Sequence, residues 1–119
     1  MPFADLTVSS LLEKAINALK DQDYKTFAAC FSEDGRYFDY CPSSNGYDNW
    51  FLYGKEAIEM FFRNRFAYDY LIVSDPVLEG ESKASFFGAY DGPYLFAMLE
   101  IAEISDDGLI QKAVVYHTA

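Results

Sequence analysis

The chain has 119 residues, of which 51% are hydrophobic and 18% aromatic, and its formal net charge is -10. That length suits one domain with one core, and aromatic content beyond what a minimal core requires points to an aromatic-lined cavity, a buried subunit interface, or both. The negative charge repels phosphate backbones and anionic lipid surfaces, so no nucleic acid and no membrane are expected among the partners.

The opening Met1-Pro2-Phe3-Ala4-Asp5 has neither a basic nor an apolar leader region. No run approaches the roughly 18 apolar residues of a spanning helix, and a cytoplasmic protein is expected. The first helix is predicted over Leu11 to Lys20, capped at Thr7 or at Ser10, where Ser10-Leu11-Leu12-Glu13 fits the capping box. Leu12, Ile16 and Leu19 form its apolar stripe, with Ala15 beside them. After the hop Lys20-Asp21-Gln22-Asp23, Asp23 caps a second helix predicted over Tyr24 to Phe31. Its apolar positions Phe27, Cys30 and Phe31 repeat at helical spacing, and Gly35 ends it.

A strand through Arg36-Tyr37-Phe38-Asp39-Tyr40 follows, with Tyr37 and Asp39 on one face. Cys41 to Gly46 is a turn-rich loop, Tyr47 to Tyr53 an aromatic run, and Lys55 to Arg65 a third helix with Ala57, Ile58, Phe61 and Phe62 repeating at helical spacing. After Tyr70 the pattern becomes that of strands. The first is near Tyr70 to Leu78, and a three-stranded meander then turns at Asp91-Gly92 and at Asp106-Asp107.

Cys30 and Cys41 form no C-x-x-C pair and read as buried, reduced thiols. With a single histidine, His117, no metal site is expected. Glycine-rich phosphate loops, nucleophile elbows and H-E-x-x-H helices are absent from the sequence, and no cofactor is expected.

A last hairpin turning on Asp106 and Asp107 sets Glu100 opposite Ala113, Met98 opposite Val115 and Phe96 opposite His117. The Asp91-Gly92 turn adds Ser85 and Phe87 to that face and sets Lys83 opposite Glu100. The other face carries Phe86, Leu95, Ala97, Leu99, Ile101, Ile110, Val114 and Tyr116. Both faces are too apolar for water. One closes over a pocket beneath the helices, and the other is expected to meet a second copy through Phe86, Leu99, Ile101, Val114 and Tyr116, unless the last strand or a loop folds back over it.

The order helix, short hop, short helix, strand and third helix, with its landmarks Ala15 to Lys20, Phe27 to Gly35, Arg36 to Tyr40 and Gly54 to Phe62, resembles the nuclear transport factor 2-like superfamily. That superfamily includes ketosteroid isomerases, scytalone dehydratase and SnoaL-like polyketide cyclases. The resemblance implies a single cone-shaped α+β domain: a strongly bent, mainly antiparallel sheet with three helices on its concave face, often dimeric through the outer face. It places Asp39 at the isomerase base and Glu100, counted back from Gly108, at the protonated acid of the oxyanion site, a carboxylate pair of separated pKa values. The proline that commonly follows the base is Tyr40 here, and the oxyanion tyrosine aligns with Ala15.

The implied function is cofactor-independent isomerisation, dehydration or cyclisation of a small apolar carbonyl or hydroxyl compound. Asp39 would be the base and Glu100 or His117 the acid. The pocket would be lined by Tyr37, Trp50, Tyr53, Phe62, Phe87, Phe96, Met98 and Val115, with a further donor among Tyr37, Tyr53, Tyr70 and His117. Plainer readings stand beside each role. Asp39 can accept backbone hydrogen bonds or pair with Arg36, Arg63 or Arg65; Glu100 can pair with Lys83; His117 can be a pocket wall or face solvent; Trp50 can be a plug or a subunit contact. The alternative function is a non-catalytic ligand-binding or dimeric association module.

Overall fold

The computed structural model describes the backbone of residues 2–118 and the side chains of residues 8–118. Three helices, α1 (Pro2–Lys20), α2 (Tyr24–Ala29) and α3 (Lys55–Ala67), lie on one face of a six-stranded sheet. Its strands are β1 (Phe31–Asp39), β2 (Trp50–Tyr53), β3 (Ile72–Leu78), β4 (Lys83–Ala89), β5 (Tyr94–Ile104) and β6 (Ile110–His117). They are ordered β2-β1-β6-β5-β4-β3, parallel between β1 and β6 and antiparallel elsewhere. No described helix is long and apolar enough to cross a membrane.

The α1 stripe of Leu12, Ala15, Ile16 and Leu19 is buried, as its spacing predicts. The helix begins earlier than expected, at Pro2, so Ser10 is an interior residue and no cap; the side chain of Thr7 lies outside those described. Asp23 caps α2, its carboxylate accepting from the Thr26 amide at 3.1 Å. That helix ends at Ala29, although Cys30 and Phe31 continue its apolar spacing. The carbonyl of Cys30 accepts instead from the Ile110 amide at 2.8 Å and starts the parallel ladder with β6. Gly35 does not end a helix but sits within β1, beside a break in register. A Cβ there would lie 2.9 Å from the Ile110 carbonyl oxygen and 3.0 Å from that of Ser32.

The β4–β5 hairpin has the register set by Asp91-Gly92, with Lys83 opposite Glu100 and Phe87 opposite Phe96. The β5–β6 hairpin is shifted by one residue: Glu100 faces Val114, Met98 faces Tyr116 and Leu99 faces Val115. The cause is the loop. Ser105 and Leu109 close it (amide to carbonyl, 2.8 Å), leaving Asp106, Asp107 and Gly108 between them, and Gly108 takes φ +79°. A three-residue loop with a left-handed glycine replaces the two-residue turn, and a slip of one residue sends a strand's side chains to the opposite face.

Two rows across the sheet fix the faces. Asp39, Val115, Leu99 and Ala84 are successive neighbours on the helix side, all buried. Phe51, Phe38, Val114, Glu100 and Lys83 run along the outer side. Phe86, Leu99 and Ile101, expected at a subunit contact, therefore belong to the monomer's core, while Val114 and Tyr116 do face outward.

Aromatic rings fill the space between sheet and helices. Phe27 meets Phe62 at 4.9 Å between centroids, Tyr37 meets Phe62 at 5.0 Å, and Phe27 meets Phe31 at 5.1 Å, all edge to face.

Candidate functional site

Asp39 ends β1 and is 0% exposed. Strand alternation aims it inward with Tyr37, whose hydroxyl donates to Oδ2 at 2.8 Å. The chain then turns, so that the amide of Cys41 donates to Oδ1 at 2.9 Å, a side-chain-to-backbone bond across two residues. The third donor comes from a distant part of the sequence: the Tyr90 hydroxyl reaches Oδ2 at 2.7 Å. Tyr90 follows β4, and Phe86, Gly88 and Tyr90 alternate onto the inner side. A Cβ at Gly88 would lie 2.8 Å from the Tyr90 ring and 3.0 Å from that of Phe86, so glycine leaves room for both.

No cation joins this group. Among the described residues the only ion pair is Arg36–Glu103, at 3.3 Å, so Asp39 is not paired with Arg36, Arg63 or Arg65. Burial pushes the Asp39 carboxyl up to about 6, against the pull of the Tyr90, Cys41 and Tyr37 hydrogen bonds. Burial, and then the charge of Asp39, hold Tyr37 and Tyr90 well above the usual phenol range, so both remain donors. The Cys41 thiol is raised for the same reasons. Cys30 and Cys41 are both buried and free, as expected.

In front of this network lies a cleft of about 330 Å³. Trp50 and Tyr90 form its floor, with ring centroids 5.2 Å apart. Pro42, Tyr47, Asp48 and Asn49 come from the loop after β1, Arg65 and Tyr70 from the end of α3 and the segment following it, and Asp91 from the β4–β5 turn. Trp50 is the direct sheet neighbour of Asp39, which lies behind the floor and contributes nothing to the cleft surface.

The predicted site residues are thus dispersed. Tyr37 is behind the cleft floor and Trp50 lines the cleft, while Phe62 and Val115 are core residues. Tyr53 is 66% exposed on the outer face, its ring 5.5 Å from that of Phe38. Phe87, Phe96 and Met98 also point outward, because the register of β5 against β6 reverses their face. Glu100 points outward for the same reason. It accepts from the Tyr116 hydroxyl at 3.5 Å and forms no ion pair with Lys83, so it makes no carboxylate pair with Asp39. His117 is exposed at the end of β6, its Nδ1 3.3 Å from the Ser44 hydroxyl.

Local spacing does not bring Tyr90, Tyr47 or Asp91 to the site, and it marks Arg65 only as a candidate partner for Asp39. Alternation from Phe86 through Gly88 is the signal that reaches Tyr90. The meeting of α3 with the Tyr47 loop leaves no comparable mark on the sequence.

No family model matches the chain, and no curated protein sequence matches it significantly. Solved structures do. A protein proposed to be a ketosteroid isomerase, from Kribbella flavida, superposes with TM-score 0.61 at 19% identity, over 95% of this chain and 78% of its own. A protein of unknown function with a cystatin-like fold, from Methylobium petroleophilum, gives 0.66 at 13% identity, over 96% and 77%. A SnoaL-like protein from Burkholderia thailandensis gives 0.61 at 13%, over 96% of both chains. The chain has the cystatin-like, nuclear transport factor 2-like fold. At these identities the likeness establishes the nuclear transport factor 2-like architecture and not an activity.

Proposed function

We propose that this nuclear transport factor 2-like domain binds a small, mainly apolar molecule in the cleft floored by Trp50 and Tyr90. The observation that carries the reading is the cleft itself: about 330 Å³, with the rings of Tyr47, Trp50, Tyr70 and Tyr90 in its lining and the polar side chains of Asp48, Asn49, Arg65 and Asp91 beside them. Trp50 is the chain's only tryptophan, so its emission reports occupancy directly. Titration with small aromatic and aliphatic compounds should give saturable changes in Trp50 fluorescence, lost when Tyr70→Ala opens the wall. Saturable binding without any response from Trp50 would put the ligand elsewhere.

The buried Asp39 carboxyl, with its pKa near 6, favours a second reading: cofactor-independent isomerisation, dehydration or cyclisation of a small carbonyl or hydroxyl compound. In this reading the Tyr90 side chain swings off Oδ2 and exposes the carboxylate to the cleft. Asp39 takes a proton from the carbon next to a carbonyl, the freed Tyr90 hydroxyl donates to the oxygen that becomes negative, and the same carboxyl returns the proton to another carbon of the molecule. Asp39→Asn should then lower turnover about a hundredfold while cleft binding persists. Unchanged turnover would leave the binding reading alone.

A homodimer completes the proposal. No described helix covers the outer face, which combines half-buried Phe38, Met98, Val114 and Tyr116 with Arg36, Lys83 and Lys112 on one hand and Glu100 and Glu103 on the other. Apolar surface carrying both signs of charge can complement itself about a two-fold axis.

A further inference from the structure

The arginine in the cleft differs from its surroundings. The chain carries 19 acidic residues against 9 basic ones, yet among the described residues Arg65 forms no ion pair. Its guanidinium stands 4.4 Å from the Phe61 ring centroid, 5.4 Å from that of Tyr70 and 5.7 Å from that of Trp50. Of its several N–H donors, only Nη1 has a protein acceptor among the described residues, the side-chain Oδ1 of neighbouring Asn64 at 2.8 Å. Aromatic rings on several sides fix the orientation of the group without neutralising it. A half-buried cation held in place, with spare donors and a cleft beside it, is preorganised for an oxyanion.

The carboxylates of the cleft are gathered elsewhere. Asp91 accepts from the Tyr47 hydroxyl at 3.3 Å, and Asp48 follows Tyr47 in the chain, so both belong to the Tyr47 end. Arg65, at the end of α3 beside Tyr70 and Trp50, forms an ion pair with neither Asp48 nor Asp91.

We propose that the cleft selects small carboxylates, with the carboxylate on Arg65 and the apolar body over Trp50 and Tyr90. One planar arginine matches the fork of a carboxylate, and a cleft of about 330 Å³ limits the body to roughly one or two rings or a short alkyl chain. The inference rests on the reading of the cleft as a small-molecule site and adds the chemical class of its ligand.

The test is isothermal titration calorimetry with matched acids and amides of the same shape: benzoate and benzamide, naphthoate and naphthamide, hexanoate and hexanamide. For the pairs that fit, wild-type protein should bind the acid about tenfold more tightly than the amide. Arg65→Gln should abolish that preference, and Arg65→Lys, which keeps the charge but not the planar fork, should retain at most part of it. Equal affinities for acid and amide in the wild type would overturn the carboxylate assignment and leave the cleft reading intact. Persistence of the full preference in Arg65→Gln would also overturn it, by tracing the preference to another group. If no member of any pair binds, the cleft reading itself fails and the assignment falls with it.

Discussion

Three hydrogen bonds converge on the Asp39 carboxylate, and burial still raises its pKa to about 6. The value in the unfolded chain is about 3.9, so between these two pKa values the native state holds the proton more tightly. The contribution of this group to stability therefore falls as pH rises through that window, and the whole cost of the buried charge is present above it. Asp39→Asn has no such charge. From pH 4 to pH 7 its stability relative to wild type should rise by on the order of 2–3 kcal/mol, measured by urea unfolding at both pH values. A difference that does not change with pH would mean that the carboxylate titrates as in the unfolded chain. Tyr90→Phe removes one donor to the charged form. It should raise the Asp39 pKa further, which a carbon-detected NMR titration of the carboxyl reads directly; a lower pKa would contradict the donor role of Tyr90.

At the scale of elements, one glycine decides which residues face the site. Gly108 holds φ +79° in the β5–β6 loop, a conformation that a β-branched residue adopts only with strain. Gly108→Val should cost on the order of 1–2 kcal/mol in urea unfolding. Gly80→Val, where a Cβ meets nothing within 4 Å and φ is not positive, should cost markedly less. Equal costs would show that the loop tolerates another geometry.

The same loop explains what was legible in the sequence. Helical spacing gave α1 and α3, the capping residue gave α2, and Asp91-Gly92 gave the β4–β5 register to the residue, because these signals are local. Asp39 and Tyr37 were placed together by alternation alone. The β5–β6 register depended on whether the loop held two residues or three, and that single choice carried Glu100, Met98 and Phe96 to the wrong face. Phe31 fits a helix by spacing but joins the sheet, because pairing with β6 supplies its backbone with partners that α2 cannot. Tyr90 and Arg65 reach the site through contacts between segments far apart in sequence, which no local pattern records.

At the scale of the molecule, the two faces of the sheet predict different responses to substitution. Leu99 is 1% exposed under the helices, so Leu99→Asp should unfold the protein rather than merely separate subunits. Val114 lies on the uncovered face, and Val114→Lys should yield a folded monomer by sedimentation and circular dichroism, from a wild type that is dimeric at tens of micromolar, on the order of concentrations where an obligate interface stays formed. A monomeric wild type would remove the dimer from the account.

Occupancy of the cleft can be read by amide chemical-shift mapping during titration with a small-compound library. Saturable shifts should gather at Tyr47, Trp50, Arg65, Tyr70, Tyr90 and Asp91, which line the cleft. Shifts confined to the outer face around Phe38, Val114 and Tyr116, or no saturable shifts with any compound, would contradict binding in the cleft.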